Sequence, residues 1–474
     1  MIREVMGKLT LILAWLVLPV HGFSALTLES YLQQVREKHG GWAAARATSE
    51  GALLRAGEAS LLVKPALFST LSYLNDAKPT ANSAFLGSKT LYYGYSLGVS
   101  QLTRFGLQGK LSYNLSHTAL SDVNPLFIAE PSYYEVRPTL ELIQSLWRNA
   151  WGTETTAQEK VVSAQALGTS FLEAFKAKQW LVEAEGAYWG LSAAREMVAV
   201  QKDSLDRALR IKDWSARRVR LGLADRSDLL QAEAALLVRK LEWQASIDEE
   251  GSASRQFNSF RGLQSSEVSE SLPPMRHDLG KDVSMPTRAG MRLDVKAAEQ
   301  LNRLAEANAE LSRHRNLPQL DLSASFSLNG KDTELGAVVA QSIKTDKPSV
   351  AVGMKFLTPL DVGTLSDNRS GYEKEKKGAH LNFQRKVFEQ DQQWNDLTTK
   401  FTDAKTRLGL AFEIEKAQKE KLDYEKDRHS RGRTTTYHVL MFEQDFALAQ
   451  AMRIKAQVEI LRISALMKLF SNDT

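Results

Sequence analysis

The sequence predicts a mixed α and β membrane protein, in which strands of transmembrane length are joined to helices far too long for a globular core. Three observations carry that expectation. Ten-residue segments alternate strictly between apolar and polar residues; helical stretches of about seventy residues carry seven-residue apolar spacing; and one arrangement of these parts occurs twice along the chain. In both copies a proline marks where helix gives way to alternation, Pro65 in "KPALFSTLSYLND" and Pro318 in "LPQLDLSASFSLNG". The residue before proline is pushed out of the α region, so a helical run stops there.

The 474 residues have ordinary hydrophobicity and a quarter of them are charged, which excludes a disordered chain and a helical membrane bundle by composition. A net charge of +5, spread through mixed-sign helical stretches, gives no reason to expect a nucleic-acid partner. The absence of cysteine removes disulfides, thiolate metal ligands and a lipoprotein attachment site.

Residues 1–24 read as a secretory signal peptide. Arg3 and Lys8 precede the apolar run Leu9 to Val20, and Gly22-Phe23-Ser24 offers a small-residue cleavage site before Ala25. The run is too short to span a bilayer as a helix.

From 25 to 285 extends the first repeat. A helix over Leu28 to Val63 leads to strands expected near 66–75, 91–103, 106–117 and 132–144. A long helix over 149–220, a return helix over 227–260 and a linker over 261–285 follow. The second repeat, 286–474, has a helix to His314, strands near 319–329 and 348–358, a long helix over 363–430 and a return helix over 435–470. Its best strand places Leu320, Leu322, Ala324, Phe326 and Leu328 on one face, with Asp321, Ser323, Ser325, Ser327 and Asn329 on the other.

Alternation alone fits a soluble sandwich as well as a barrel. The connections favour the barrel: three polar loops fall at one end of the strands, and the tight turn around Arg104 to Gly106 falls at the other, with the helices. Aromatic residues at strand ends, Tyr92, Tyr93, Tyr133, Tyr134, Trp147 and Trp151, suit interfacial girdles, of which about half are expected to serve as such.

At 1.5 Å per residue each long helix is about 100 Å in length. The second carries Val387, Trp394, Phe401 and Leu408 every seven residues, with Leu397, Ala404 and Ala411 three positions after the last three; Phe175, Val182 and Trp189 repeat the interval in the first. Glycine-marked breaks at Gly222 and Gly432 separate each long helix from its return.

This layout resembles the outer-membrane efflux protein (TolC) family over essentially the whole chain after the signal peptide. The resemblance is carried by the opening "LTLESYLQQV", by "LPQLDLSASF", and by "LGLADRSDLLQAEAAL" after a helix break. It implies a homotrimer: a β-barrel in the outer membrane shared by three chains and continued by a coiled-coil α-helical tunnel across the periplasm. The implied function is the exit duct of a tripartite efflux or type I secretion system, engaged by a periplasmic adaptor protein and an inner-membrane pump, with no cofactor. Family members usually contribute four strands per chain; six are counted here, which in a trimer makes eighteen, unless the extra hairpin of the first copy, Tyr92 to Ser116, folds over the barrel mouth and leaves twelve. Unpaired strand edges do not survive in lipid, so closure across chains is required.

The resemblance also implies that the helix tips meet the adaptor. Leu221, Gly222 and Leu223 match the family's small motif closely, while Arg431, Gly432 and Arg433 depart from it. Where archetypal members place two aspartates one turn apart beyond the second tip, this chain has His438 and Met441, and Asp228 and Gln231 stand at the equivalent places of the first copy. A pore constriction from Asp228, His438 and Met441 is therefore expected, with an imidazole, a group that ordinarily titrates near physiological pH, in place of a carboxylate.

No His/Glu pair at metal-ligand spacing, phosphate-binding glycine loop or nucleophile elbow occurs, so neither catalytic nor metal residues are assigned. The competing reading is a secreted or periplasmic helical structural or adhesive scaffold whose strands form a soluble β-sandwich.

Overall fold

The computed structural model describes residues 25–77, 79, 82–275, 279–280 and 282–471. The expected signal peptide, residues 1–24, lies outside them. In chain order the elements are α1 (Leu28–Lys38), α2 (Gly40–Arg55), β1 (Ala66–Asp76), α3 (Ser83–Leu86), β2 (Lys89–Leu102), β3 (Leu107–Ser121) and β4 (Ser132–Ser145). Then come α4 (Thr153–Arg220), α5 (Arg226–Phe260), α6 (Leu293–Arg315), β5 (Gln319–Leu328), β6 (Gly330–Asp332), α7 (Leu335–Ser342), β7 (Pro348–Leu357), α8 (Val362–Ser430) and α9 (Thr436–Met467). Among the described residues no helix is long and apolar enough to cross a membrane.

The chain divides into two compact units. One comprises residues 44–178, 287–396 and the end of the chain from 469; the other comprises the residues to Ala43, 179–286 and 397–468.

The first unit contains the sheet, an antiparallel array in the order β1-β2-β3-β4-β5-β7, with β6 beside β4. The hairpin β2–β3 is therefore part of the sheet. β6 continues the register of β5: Thr139 faces Ser327 and Val136 faces Gly330, and between them stands Pro138, which has no amide hydrogen to give the ladder.

Register explains the two faces. Leu67, Val99, Leu111, Leu140, Phe326 and Val350 fall on one rung of the apolar face, and Ser100, Lys110, Glu141 and Ser325 on one rung of the polar face. On the polar face Ser96 Oγ donates to Asn114 Oδ1 at 2.6 Å, and Asn114 Nδ2 donates to the Arg137 carbonyl at 3.0 Å. Arg137 Nε in turn donates to Asn329 Oδ1 at 2.8 Å. Over β1 and β7 the apolar face is bare: Leu71 is 75% exposed and Val352 71%. A sandwich would cover it with a second sheet, yet one sheet accounts for all the named strands of the described residues.

Several boundaries differ from the sequence expectation. The long helix starts at Thr153 rather than Asn149, because Asn149 and Trp151 take left-handed backbone angles (φ 57° and 55°) that no α-helix admits. Asn149 instead caps the helix, its Oδ1 accepting the Thr155 amide at 3.0 Å. The helix expected over 28–63 is broken at His39, whose backbone is extended, and ends in a 3-10 segment over 56–63. The helix expected from Pro286 begins at Leu293.

The second unit is held by packed helix faces. Tyr31, Leu32 and Val35 of α1 meet Ala184, Ala187, Tyr188 and Leu191 of α4 and Phe257 and Phe260 of α5. Tyr31 stacks on Phe257 with centroids 4.1 Å apart and donates its hydroxyl hydrogen to the Phe257 carbonyl at 3.0 Å. Burial raises the Tyr31 hydroxyl far above its ordinary pKa and pushes that of Tyr188, which donates to the Leu26 carbonyl at 2.7 Å, up to about 12. The segment after α5 is fastened by side chains: Asn258 Nδ2 donates to the Ser265 and Glu267 carbonyls at 2.8 and 3.0 Å, and Arg261 pairs with Glu270 at 2.5 Å. That guanidinium hydrogen bond holds the Glu270 carboxyl below the usual range.

The seam residues face inward as their spacing requires. Phe401, Ala404, Leu408 and Ala411 are buried in the second unit; in the first, Val387 and Trp394 are half-buried.

Candidate functional site

Two helix tips stand in the second unit, and they are built alike. After α4 the Gly222 amide donates to the Val219 carbonyl at 3.0 Å and the Leu223 amide to the Arg218 carbonyl at 2.8 Å. After α8 the Gly432 amide donates to His429 at 3.0 Å and the Arg433 amide to Arg428 at 2.9 Å. Both glycines have φ of +70°, the left-handed turn that closes a helix and that a side chain disfavours. An N-cap follows each turn. The Asp225 carboxylate accepts the Ser227 amide at 3.1 Å ahead of α5, and Thr435 occupies the corresponding place ahead of α9.

Leu221 and Leu223 are exposed at the first tip, and Arg431, Gly432 and Arg433 at the second. The tips thus present an apolar pair and a cationic pair to solvent. Arg431 is drawn back along its own helix by Asp427 at 2.8 Å.

The three constriction candidates are not assembled into one group. His438 is exposed, with Nδ1 3.2 Å from Thr434 Oγ1 and 3.5 Å from Thr435 Oγ1. Asp228 is half-buried, and its charge acts on His429. Met441 lines a shallow cleft with Gln231, Tyr437 and Leu440. No hydrogen bond or ion pair joins Asp228 to His438 among the described residues.

A buried cluster just behind the tips escaped the sequence reading. His429 of α8 lies with its ring centroid 3.9 Å from that of Trp214 of α4, and the Arg218 guanidinium sits 4.7 Å from the centroid on Trp214. The Thr436 hydroxyl of α9 is 3.5 Å from both His429 Nε2 and Ser215 Oγ. Burial, then repulsion from Arg218, lowers the His429 pKa, against the attraction of Glu425 and Asp228. Further along, Arg207 of α4 pairs with Glu443 of α9, both buried, and Lys426 reaches the same carboxylate at 2.7 Å. In the sequence, Glu443 stands eleven residues past Gly432, as Glu233 stands eleven past Gly222. The partners come from another helix, and no local pattern names them.

In the first unit the aromatic positions are sorted by register. Tyr73, Tyr93, His117 and Tyr134 form one rung across the apolar face, with successive centroids 5.2, 6.3 and 4.6 Å apart. Tyr92 and Tyr133 fall on the polar face; Trp147 and Trp151 are exposed at the opposite ends of the strands.

Residues 289–469 match the family described as Outer membrane efflux protein. Among solved structures the chain is similar to the outer-membrane channel OprN, with a TM-score of 0.65 and 15% identity over 94% of this chain and 90% of that one. It is likewise similar to the outer membrane protein VceC of Vibrio cholerae (TM-score 0.64, 14% identity, 94% and 97% covered). A third is the MtrE outer membrane channel of Neisseria gonorrhoeae in its open state (TM-score 0.65, 15% identity, 94% and 88% covered). At these identities the likeness establishes the fold. No curated protein matches the sequence. Residues 289–469 thus match the outer membrane efflux protein family, and the chain along its length shares the fold of these solved structures.

Proposed function

We propose that the chain is the exit duct of a tripartite efflux or type I secretion system, conducting substrate passively from an inner-membrane pump to the exterior. The observation that carries this reading is the sheet: an apolar face left uncovered except beneath α7, a hydrogen-bonded polar face, and two end strands, β1 and β7. Such a sheet is stable in lipid only if its ends are paired, and a second and third copy of the chain supply the pairing. Three copies of the six-strand path give an eighteen-stranded barrel, with the apolar face outward and the Ser96, Asn114, Lys110 and Arg137 face toward the lumen. The β2–β3 hairpin then widens the barrel rather than lying over its mouth. We take the paired layout of the tips as a vestige of internal duplication.

Within this reading the tips, Leu221 to Leu223 and Arg431 to Arg433, meet the periplasmic adaptor. Asp228, His438 and Met441 narrow the pore only after the copies come together, since they do not converge within one chain. The glycine turns give the adaptor two rigid, similar ends to grip.

The test uses the absence of native cysteine. Thr70→Cys on β1 is paired in turn with Ser349→Cys, Ala351→Cys and Gly353→Cys on β7, all on the polar face, and outer membranes are oxidised. The reading expects a covalent trimer for one pairing. Absence of cross-linked species across the whole panel, or a product no larger than a dimer, overturns it.

A further inference from the structure

Between β5 and β7 the chain makes α7, and the position of that helix is fixed by a close approach. Gly330 pairs with Val136 on the apolar face of the sheet. A Cβ on Gly330 would stand 2.4 Å from the Val338 carbonyl oxygen and 2.9 Å from the Ser342 amide nitrogen. Helix α7 therefore lies on the apolar face itself, over β4 and β6, and not across the polar face. Val136 and Val338 are fully buried by the contact. Gln341 fastens the helix, its Nε2 donating to Asp332 Oδ2 at 2.7 Å and its Oε1 accepting the Lys331 amide at 3.3 Å.

One flank of α7, about a quarter-turn round from the buried Val338 and Ser342, is apolar and uncovered. Leu335, Val339 and Ile343, spaced four residues apart and so on one helix face, are 46%, 42% and 71% exposed. Beside it, at the level where Tyr134 faces Asp332, runs the rung of Tyr73, Tyr93, His117 and Tyr134. Charge does not explain the surface, because Lys331, Lys344 and Lys347 are matched by Asp332, Glu334 and Asp346.

We infer that α7 is a membrane-interface helix, whose Leu335, Val339 and Ile343 stripe dips into the acyl-chain boundary of the outer leaflet beside the aromatic rung. This rests on the barrel reading above, because it takes the apolar face as lipid-facing. Continuity with that face selects lipid as the occupant, and aromatic rungs are characteristic of the depth at which acyl chains meet headgroups. The strands on their own would leave Val136 facing that boundary; α7 covers it and presents a longer apolar ridge in its place. The structural consequence is an anchor that fixes the height of the barrel in the membrane.

The experiment uses the full chain, refolded or purified as its oligomer and reconstituted in phospholipid vesicles. Single cysteines at Val339→Cys and Ile343→Cys on the stripe, Val352→Cys on the bare face of β7 and Ser325→Cys on the polar face are labelled with an environment-sensitive fluorophore. Each is exposed to lipids carrying a quencher near the headgroup and to a water-soluble quencher. The inference expects the stripe labels to lose fluorescence to the shallow lipid quencher as the Val352 label does, while the Ser325 label responds to the aqueous one. Stripe labels quenched from water while the Val352 label is quenched from lipid would overturn the inference and leave the barrel standing. Stripe labels shielded from both quenchers would assign the ridge to a second copy of the chain, also against it. Loss of lipid quenching at Val352 as well would remove the barrel reading itself.

Discussion

Arg218 and Arg428 make the same bond at two tips: each guanidinium donates to the carbonyl five residues ahead, Arg218 to Leu223 at 2.9 Å and Arg428 to Arg433 at 3.1 Å. Each arginine thereby clamps the left-handed glycine turn from outside, supplying a donor to a carbonyl of the turn that follows the helix. Replacing either with methionine keeps the aliphatic stem and removes the clamp. Because both bonds are exposed, the cost is at the low end for a charged donor, about 1 kcal/mol. Hydrogen exchange should quicken at amides 219–226 in the Arg218→Met protein and at 429–436 in the Arg428→Met protein, with the core amides unchanged.

The His429 cluster gives a pH dependence whose sign is fixed. Burial and Arg218 lower the folded pKa below the ordinary 6.5, so the unfolded chain takes up the proton first. Stability near the tip is therefore full above that value and falls as pH drops below it. His429→Phe retains a ring against Trp214 and removes the proton site. Tip protection measured by hydrogen exchange should decline from pH 7.5 to pH 5 in the native chain and stay flatter in the variant.

The buried pair Arg207 and Glu443 joins α4 to α9. Removing Arg207 leaves the buried Glu443 carboxylate with Lys426 alone, so the cost stays below the roughly 3 kcal/mol of a fully stranded buried charge, whereas replacing both with apolar residues of similar size is close to neutral. Arg207→Ala should lower the unfolding midpoint of the purified protein clearly. The double variant Arg207→Met, Glu443→Leu should recover most of that loss, although Lys426 gives up its partner.

A fourth expectation concerns Tyr31. Its hydroxyl is the partner of the Phe257 carbonyl inside the α1, α4 and α5 core. Tyr31→Phe keeps the stacking and leaves a buried carbonyl without its donor, which is worth about 1 kcal/mol. Denaturant unfolding should report that loss with no change in oligomeric state.

Much of the fold was legible because it is periodic. Two-residue alternation located all six long strands within a few residues, and the seven-residue seam located the buried faces of α4 and α8. The prolines before β1 and β5 read correctly because they act on the residue beside them. What the sequence hid was set by distant partners. The start of α4 depends on Asn149 and Trp151 adopting left-handed angles, which no local propensity favours for tryptophan. Short α7 looked like loop because its burial comes from Val136, about two hundred positions earlier in the chain. At the tips the glycines announced themselves, but His429 and Arg207 owe their environment to residues of other helices.

The most direct test of the central claim is planar-bilayer conductance of the protein purified from detergent-solubilised outer membrane, with its oligomeric mass determined on the same sample. The account predicts a stable trimer with discrete, small, mostly closed conductance, as expected of a conduit narrowed at its tips until a partner engages it. A water-soluble monomer without channel activity would contradict it.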